Sequence, residues 1–167
     1  MATVNRDALV DKLCERLAAE TGGIDIYQAA LDKIDDAAVV PRLKRFLRDE
    51  MAHRDLLATY LDRLHVSERE TRSARLVRLE ADTYVKLVGE AETTAQVLNV
   101  LLTFELMDEN AWEMIIDVGR DVHDDEMVRT LDAALRDEKE HLRGVRGLLA
   151  GLTRSMMTAA AEPADVG

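Results

Sequence analysis

Proline, aromatic residues and cysteine are all scarce in this chain, and each scarcity excludes something. Its 167 residues include 2 Pro, 1 Cys and 4% aromatics. Pro41 and Pro163 leave Arg42 to Glu162 free of that helix breaker. So few aromatic and turn-forming residues argue against a β-sandwich or barrel. A lone thiol, Cys14, excludes an intramolecular disulfide and any cysteine-based zinc or rubredoxin-type centre. No apolar run approaches a membrane span, and the opening Met-Ala-Thr-Val-Asn-Arg-Asp has no signal-peptide pattern, so a cytoplasmic protein without membrane contact is expected. Basic blocks are missing as well. With 33 acidic against 22 basic residues the net charge is -11, which disfavours nucleic acid as a partner. Most of the acidic excess reads as a solvated helical exterior.

What the chain does hold is 47% apolar residues, enough to bury one core, in a length too short for two comfortable domains. Leu, Ala, Glu, Arg and Asp dominate, which makes an all-α chain the expectation. The bundle domain spans residues 1–154, and the Ala-rich segment 155–167 is expected to be a flexible tail.

Apolar residues recur at spacings of three and four along four long segments. The first helix runs from about Arg6 to Ile34 through Val10, Leu13, Leu17, Ile24, Tyr27 and Leu31, with a kink expected at Gly22-Gly23. Pro41 opens a second helix to about His65 through Leu43, Phe46, Leu47, Leu57, Leu61 and Leu64. A capping box at Ser67–Glu70 starts a shorter amphipathic segment, Thr71 to Val88, with Leu76, Leu79, Thr83 and Leu87 on one stripe and Gly89 at its end. Thr93–Gln96 is a second capping box. It precedes a helix to about Val118 through Val97, Leu98, Leu101, Leu102, Trp112, Ile115 and Ile116, closed by Gly119. Asp124 or Asp125 caps the last helix, which carries Val128, Leu131, Leu135, Leu142, Val145, Leu148, Leu149 and Leu152.

Each long stripe is broken near its middle by a glutamate: Glu20, Glu50, Glu105 and Glu138. In the second and last long helices a histidine follows three residues later, His53 and His141. Four unpaired carboxylates in a bundle core would be costly. Two divalent cations would balance their charge, with the imidazoles neutral. Glu and His at i, i+3 share a helix face one turn apart and can serve the same ion, and two single glutamates with two Glu-x-x-His pairs form a known helix-bundle di-metal set. The copies match beyond the ligands, because Leu47–His53 and Leu135–His141 share Leu-Arg-Asp-Glu-x-x-His. Glu20 to Glu50 is 30 residues and Glu105 to Glu138 is 33, as an internal duplication of an antiparallel helix pair would give.

On these residues the sequence resembles the ferritin-like di-iron carboxylate proteins, the broad group of bacterioferritins, rubrerythrins and manganese catalases, over nearly its whole length. The resemblance implies a ferritin-like four-helix bundle with a long helical crossover between the second and third helices. It implies metal ligands at Glu20, Glu50, His53, Glu105, Glu138 and His141, hydrogen bonds from each histidine to Asp49 or Asp137 on the opposite helix, and a redox-tuning role for Tyr27 beside the site. Two Fe ions are the expected cofactors, with Mn possible, and the expected activity is ferroxidase- or peroxidase-type, with Fe2+ and O2 or H2O2 as reactants in iron or peroxide detoxification. A manganese catalase-like or oxygenase enzyme is an alternative, and so is a non-catalytic helical interaction protein. Asp108 and Glu109, one turn past Glu105, are candidates for a further carboxylate. Met51 stands where bacterioferritins carry a haem-ligating methionine at a two-fold interface, but haem is not expected on that single match; a homodimer is. Too little chain follows the last helix for the short fifth helix of storage shells, so such a shell is not expected either. His65 and His123 are expected at the surface.

Overall fold

The computed structural model describes residues 5–66, 69–121 and 123–159. Five helices account for most of them: α1 (Arg6–Lys33), α2 (Val40–Arg63), α3 (Arg72–Glu90), α4 (Thr94–Asp121) and α5 (Asp125–Ala159). No strand occurs among the described residues. Their starts follow local chemistry. The side chain of Asn5 accepts from the Ala8 N–H, and that of Asp124 from the Met127 N–H. Pro41 lies in the first turn of α2, where its missing N–H costs nothing. The Thr93 hydroxyl accepts from the Gln96 N–H while the Gln96 side chain accepts from the N–H groups of Glu92 and Thr93. That is the reciprocal capping box read from the sequence.

Three helix ends differ from expectation. Gly119 does not close α4, which continues to Asp121. The turn is made by His123, at φ 59°, and its counterpart after α2 is His65, at φ 55°. In both, a backbone N–H reaches back five residues, from Val66 to the Leu61 carbonyl and from Asp124 to that of Gly119. Such left-handed termini usually employ glycine. Histidine tolerates the conformation better than most side chains, and both rings are exposed as expected. Gly89 likewise lies inside α3, which ends at Glu90 and receives the Lys33 ammonium on the carbonyls of Gly89 and Ala91. The last helix is longer than its leucine pattern. Ser155–Ala159, placed in the tail on composition, continue α5, and residues 160–167 lie outside the described set.

The direction of each helix follows from two apolar clusters at opposite ends of the bundle. One contains Leu13, Leu57, Ala74, Ile116 and Leu131; the other contains Ile34, Leu43, Val88, Leu98 and Val145. Thus α1, α3 and α5 run from the first cluster to the second, and α2 and α4 run back. α3 is therefore the crossover that lets α2 and α4 run parallel. The helices α1, α2, α5 and α4 form the four-membered bundle, with α3 against the outside of α1 and α4.

The crossover helix buries the opposite face from the one its leucines mark. Leu76, Leu79 and Leu87 are 49–62% exposed, whereas Ala74, Ala81 and Val88, spaced by sevens, are buried. Close approach explains the inversion. A Cβ on Gly22 would collide with the Cβ of Ala81, so α3 packs on α1 through small residues and leaves its large ones outside. The capping box read at Ser67–Glu70 falls partly on Ser67 and Glu68, outside the described residues; α3 is capped by the Thr71 hydroxyl, which accepts from the Ala74 N–H. Gly22-Gly23 do not interrupt α1, which is one helix from Arg6 to Lys33. The pair serves interhelical contact rather than bending.

Candidate metal centre

Between the two apolar clusters lies a polar layer. Glu20, Glu50, Glu105, Glu138 and His141 are 0% exposed and His53 is 4% exposed, so all six residues singled out on the stripes converge there. Gly23 makes the room: a Cβ at that position would stand 2.5 Å from Glu50 Oε2 and 2.9 Å from Phe104 Cζ. Gly23→Ala is accordingly expected to cost about 1–3 kcal/mol in urea unfolding, as an overpacked core does. It should also displace the Glu50 carboxylate.

Ligand-type atoms gather in two groups. Glu20, His53 and Glu138 form one and Glu50, Glu138 and His141 the other, each with one donor atom per residue within 4.8 Å of the others. Glu138 belongs to both. Glu105 lies beside the second group, with Oε2 3.9 Å from His141 Nδ1.

The histidines are fixed from behind. His53 Nε2 lies 3.4 Å from Asp137 and His141 Nε2 lies 3.3 Å from Asp49, each on the opposite helix of the α2/α5 pair. A ring that donates through Nε2–H presents a lone pair at Nδ1. For His53 that lone pair faces Glu138 Oε1 at 2.6 Å and Glu20 Oε2 at 3.5 Å. Lone pairs cannot face one another so closely unless a proton or a cation lies between them. The same holds for His141 Nδ1, 3.2 Å from Glu138 Oε2 and 3.5 Å from Glu50 Oε1.

Other atoms are accounted for by partners. Tyr27, fully buried, donates its hydroxyl to Glu105 Oε1. Trp112 donates its indole N–H to Glu20 Oε1 at 2.9 Å. Tyr27 and Trp112 stand seven residues after Glu20 and Glu105 respectively, so the duplication extends to these crossed hydrogen bonds. Sequence reasoning placed Trp112 in the core without its polar role and missed Arg16 altogether. Arg16 is 4% exposed, donates Nε–H and Nη2–H to Glu20 Oε1 at 3.0 and 2.7 Å, and pairs with Asp108. The available signal was its place on the buried side of α1, one turn before Glu20. Of the two extra carboxylates considered, Asp108 is buried against Arg16, and Glu109 is only half-buried and in neither group.

Apart from one another, what remains without a hydrogen-bond partner is Glu20 Oε2, both oxygens of Glu50 and of Glu138, Glu105 Oε2, and Nδ1 of both histidines, together with Asp108 Oδ2 and Arg78 Nη1 outside the two groups. Buried polar atoms are normally satisfied. Eight of these atoms belong to the six stripe residues and come from carboxylates and imidazoles, the donor set of divalent transition metals. The residues fit such a pair of ions.

In the metal-free protein, protons take that place. Burial disfavours the charged His53 ring, but the carboxylates of Glu138 and Glu20 outweigh it and push its pKa up to about 11. Burial also raises Glu105, to about 8, and holds Glu50 well above the usual carboxylate range. For Glu138 burial works in the same direction, yet the two histidines overcome it and bring it down to about 2. Relative to the unfolded chain, the folded protein thus retains extra protons on Glu105 between 4.5 and about 8 and on His53 between 6.5 and about 11. Extra protons in the folded state mean stability that falls as pH rises. The melting temperature of chelator-treated protein should therefore drop from about pH 6 to about pH 9, and a metal-loaded sample should drop less because its ligands are already deprotonated.

No protein-family model and no curated protein matches the sequence. Among solved structures, one described as ferritin-like, diiron-carboxylate proteins from Bacillus anthracis str. Ames superposes with a TM-score of 0.69 at 20% identity, covering 89% of this chain and 99% of that one. The fold is ferritin-like. A second structure, YcfI from Rhodopseudomonas palustris, to which a structural role is ascribed, superposes with a TM-score of 0.73 at 14% identity, covering 86% of this chain and 94% of that one. At such identities the likeness concerns the ferritin-like bundle alone. Among the described residues no helix is long and apolar enough to cross a membrane.

Proposed function

We propose that this ferritin-like protein binds two iron ions at Glu20, Glu50, His53, Glu105, Glu138 and His141 and oxidises Fe2+ with O2 or H2O2, in iron or peroxide detoxification. One observation carries the reading: the eight unpartnered donor atoms of the six stripe residues. Each imidazole is held by an aspartate at its other nitrogen. The iron pair would supply the redox equivalents.

The chain's own residues then have distinct tasks. Glu138 belongs to both donor groups, so it would serve both ions, whereas Glu50, with two unpartnered oxygens, would serve the ion at His141. Glu20 and Glu105 each keep one oxygen on a protein donor and offer the other, which suits them to serve as terminal ligands. Tyr27, hydrogen-bonded to Glu105, sits one bond from the centre as an electron or proton donor. Its pKa is held well above the ordinary value, first by burial and then by Glu105, so the phenol keeps its proton at neutral pH.

Anaerobic addition of Fe2+ is expected to saturate at about two ions per chain with release of protons, and subsequent exposure to H2O2 or O2 should consume oxidant in proportion to bound Fe2+. Saturation below one ion, or bound iron that is inert to both oxidants, would refute the reading. Elemental analysis of protein as purified separates iron from manganese, which the same donor set can bind.

A further inference from the structure

The internal repeat that pairs Glu20 with Glu105, Tyr27 with Trp112, and His53 with His141 carries a buried charge in one half only at two positions. Four residues before the glutamate, the first half carries Arg16 and the second Leu101. Three residues after it, the first half carries Gly23 and the second Asp108. Both exceptions meet on one side of the site, where Arg16 and Asp108 form a buried ion pair beside Glu20.

The two terminal glutamates are consequently held in different ways. Glu20 Oε1 accepts from Nε–H and Nη2–H of a guanidinium and from the Trp112 indole. Glu105 Oε1 accepts only from a neutral phenol. Charge-assisted bonds are the stronger kind, and a positive group on one oxygen reduces the electron density that the other can offer a cation. A divalent ion at Glu20 would also be close to the guanidinium, in a layer where screening is weak.

We propose that Arg16, paired with Asp108, makes the two cation positions unequal: the position formed by Glu50, Glu105, Glu138 and His141 holds its ion tightly, and the position formed by Glu20, His53 and Glu138 holds an exchangeable one. The inference rests on the di-metal reading above and adds an order of filling to it. Arg16 is a positioning residue, acting through Glu20. Arg16, bonded to Glu20, also lies on the wall of a surface cleft of about 140 Å3 between α1, α3 and α4.

Mn2+ binding to single-position variants tests this without reference to turnover. His53→Ala leaves only the Glu105 side and His141→Ala only the Glu20 side. In titrations followed by the electron paramagnetic resonance of free Mn2+, His53→Ala is expected to bind one ion at least about tenfold more tightly than His141→Ala. Introducing Arg16→Leu with Asp108→Ala, which gives the first half the leucine of the second and removes both charges, should bring the two affinities within about threefold of each other. Equal affinities in the original background, tighter binding by His141→Ala, or a tenfold gap that survives the double substitution would each overturn the proposal. The first comparison decides by itself should the doubly substituted protein fail to fold. Unaltered protein that binds no Mn2+ and no Fe2+ would instead refute the di-metal reading.

Discussion

Glu138→Ala should abolish tight uptake of both ions. Its carboxylate is the one group common to the two donor clusters, and neither of its oxygens has another partner. Loss of a supporting residue behind a metal ligand typically weakens binding about 10–100-fold, so loss of a shared ligand is expected to exceed roughly 100-fold at both positions. Glu20→Ala provides the contrast: it belongs to one cluster only and should remove one ion while the other still binds. Asp49→Ala and Asp137→Ala, which release the distal nitrogens of His141 and His53, should fall in the intermediate range of about 10–100-fold. Anaerobic titrations of the four variants, with circular dichroism to verify the fold, give the ranking directly. Undiminished stoichiometry in Glu138→Ala would contradict the assignment of the centre.

Trp112→Ala should give a large loss of stability, about 3–5 kcal/mol in chemical denaturation. The side chain is 0% exposed, packs edge-on to His53 at 5.8 Å and lies 5.3 Å from the Arg16 guanidinium. Trp112→Phe separates packing from polarity. It keeps most of the apolar contact and deletes the hydrogen bond to Glu20, for an expected loss of about 1.5 kcal/mol, the low end for a bond to a charged group because Arg16 still serves the same oxygen. As the only tryptophan, Trp112 also reports on the site: its fluorescence should change when an ion reaches Glu20, and this response should vanish in Glu20→Ala.

Most of the donor set was legible because an α-helix converts spacing into direction. A glutamate where an apolar residue belongs must face the core, and a histidine three residues later faces the same way. The supporting aspartates followed from the family resemblance and lie at hydrogen-bonding distance from the expected histidines. The crossover helix was legible as a helix but not in its orientation. Leu76, Leu79 and Leu87 form a proper stripe, and a hydrophobic pattern says which residues could be buried, not how closely the neighbouring helix comes. Gly22 permits an approach that only alanine-sized residues can fill, so the leucines face outward. Arg16 went unseen for a related reason. A charged residue beside a glutamate one turn away looks like an ordinary surface pair, and only the approach of Asp108 from α4 makes it a buried one.

By itself, then, the sequence determined the helices, their starts at Pro41, at Thr93 and at Asp124 or Asp125, and the set of six residues that would share one layer. All of these depend on a local period and on side chains within a turn of each other. The tertiary structure decided which oxygen of each carboxylate is engaged and which is left open, that Trp112 and Tyr27 cross to the opposite glutamates, and that Arg16 and Asp108 break the symmetry of the duplicated halves. Those outcomes depend on distances between helices, set here by the glycines of α1 and by the packing of α3 over α1 and α4, and helical periodicity carries no information about them.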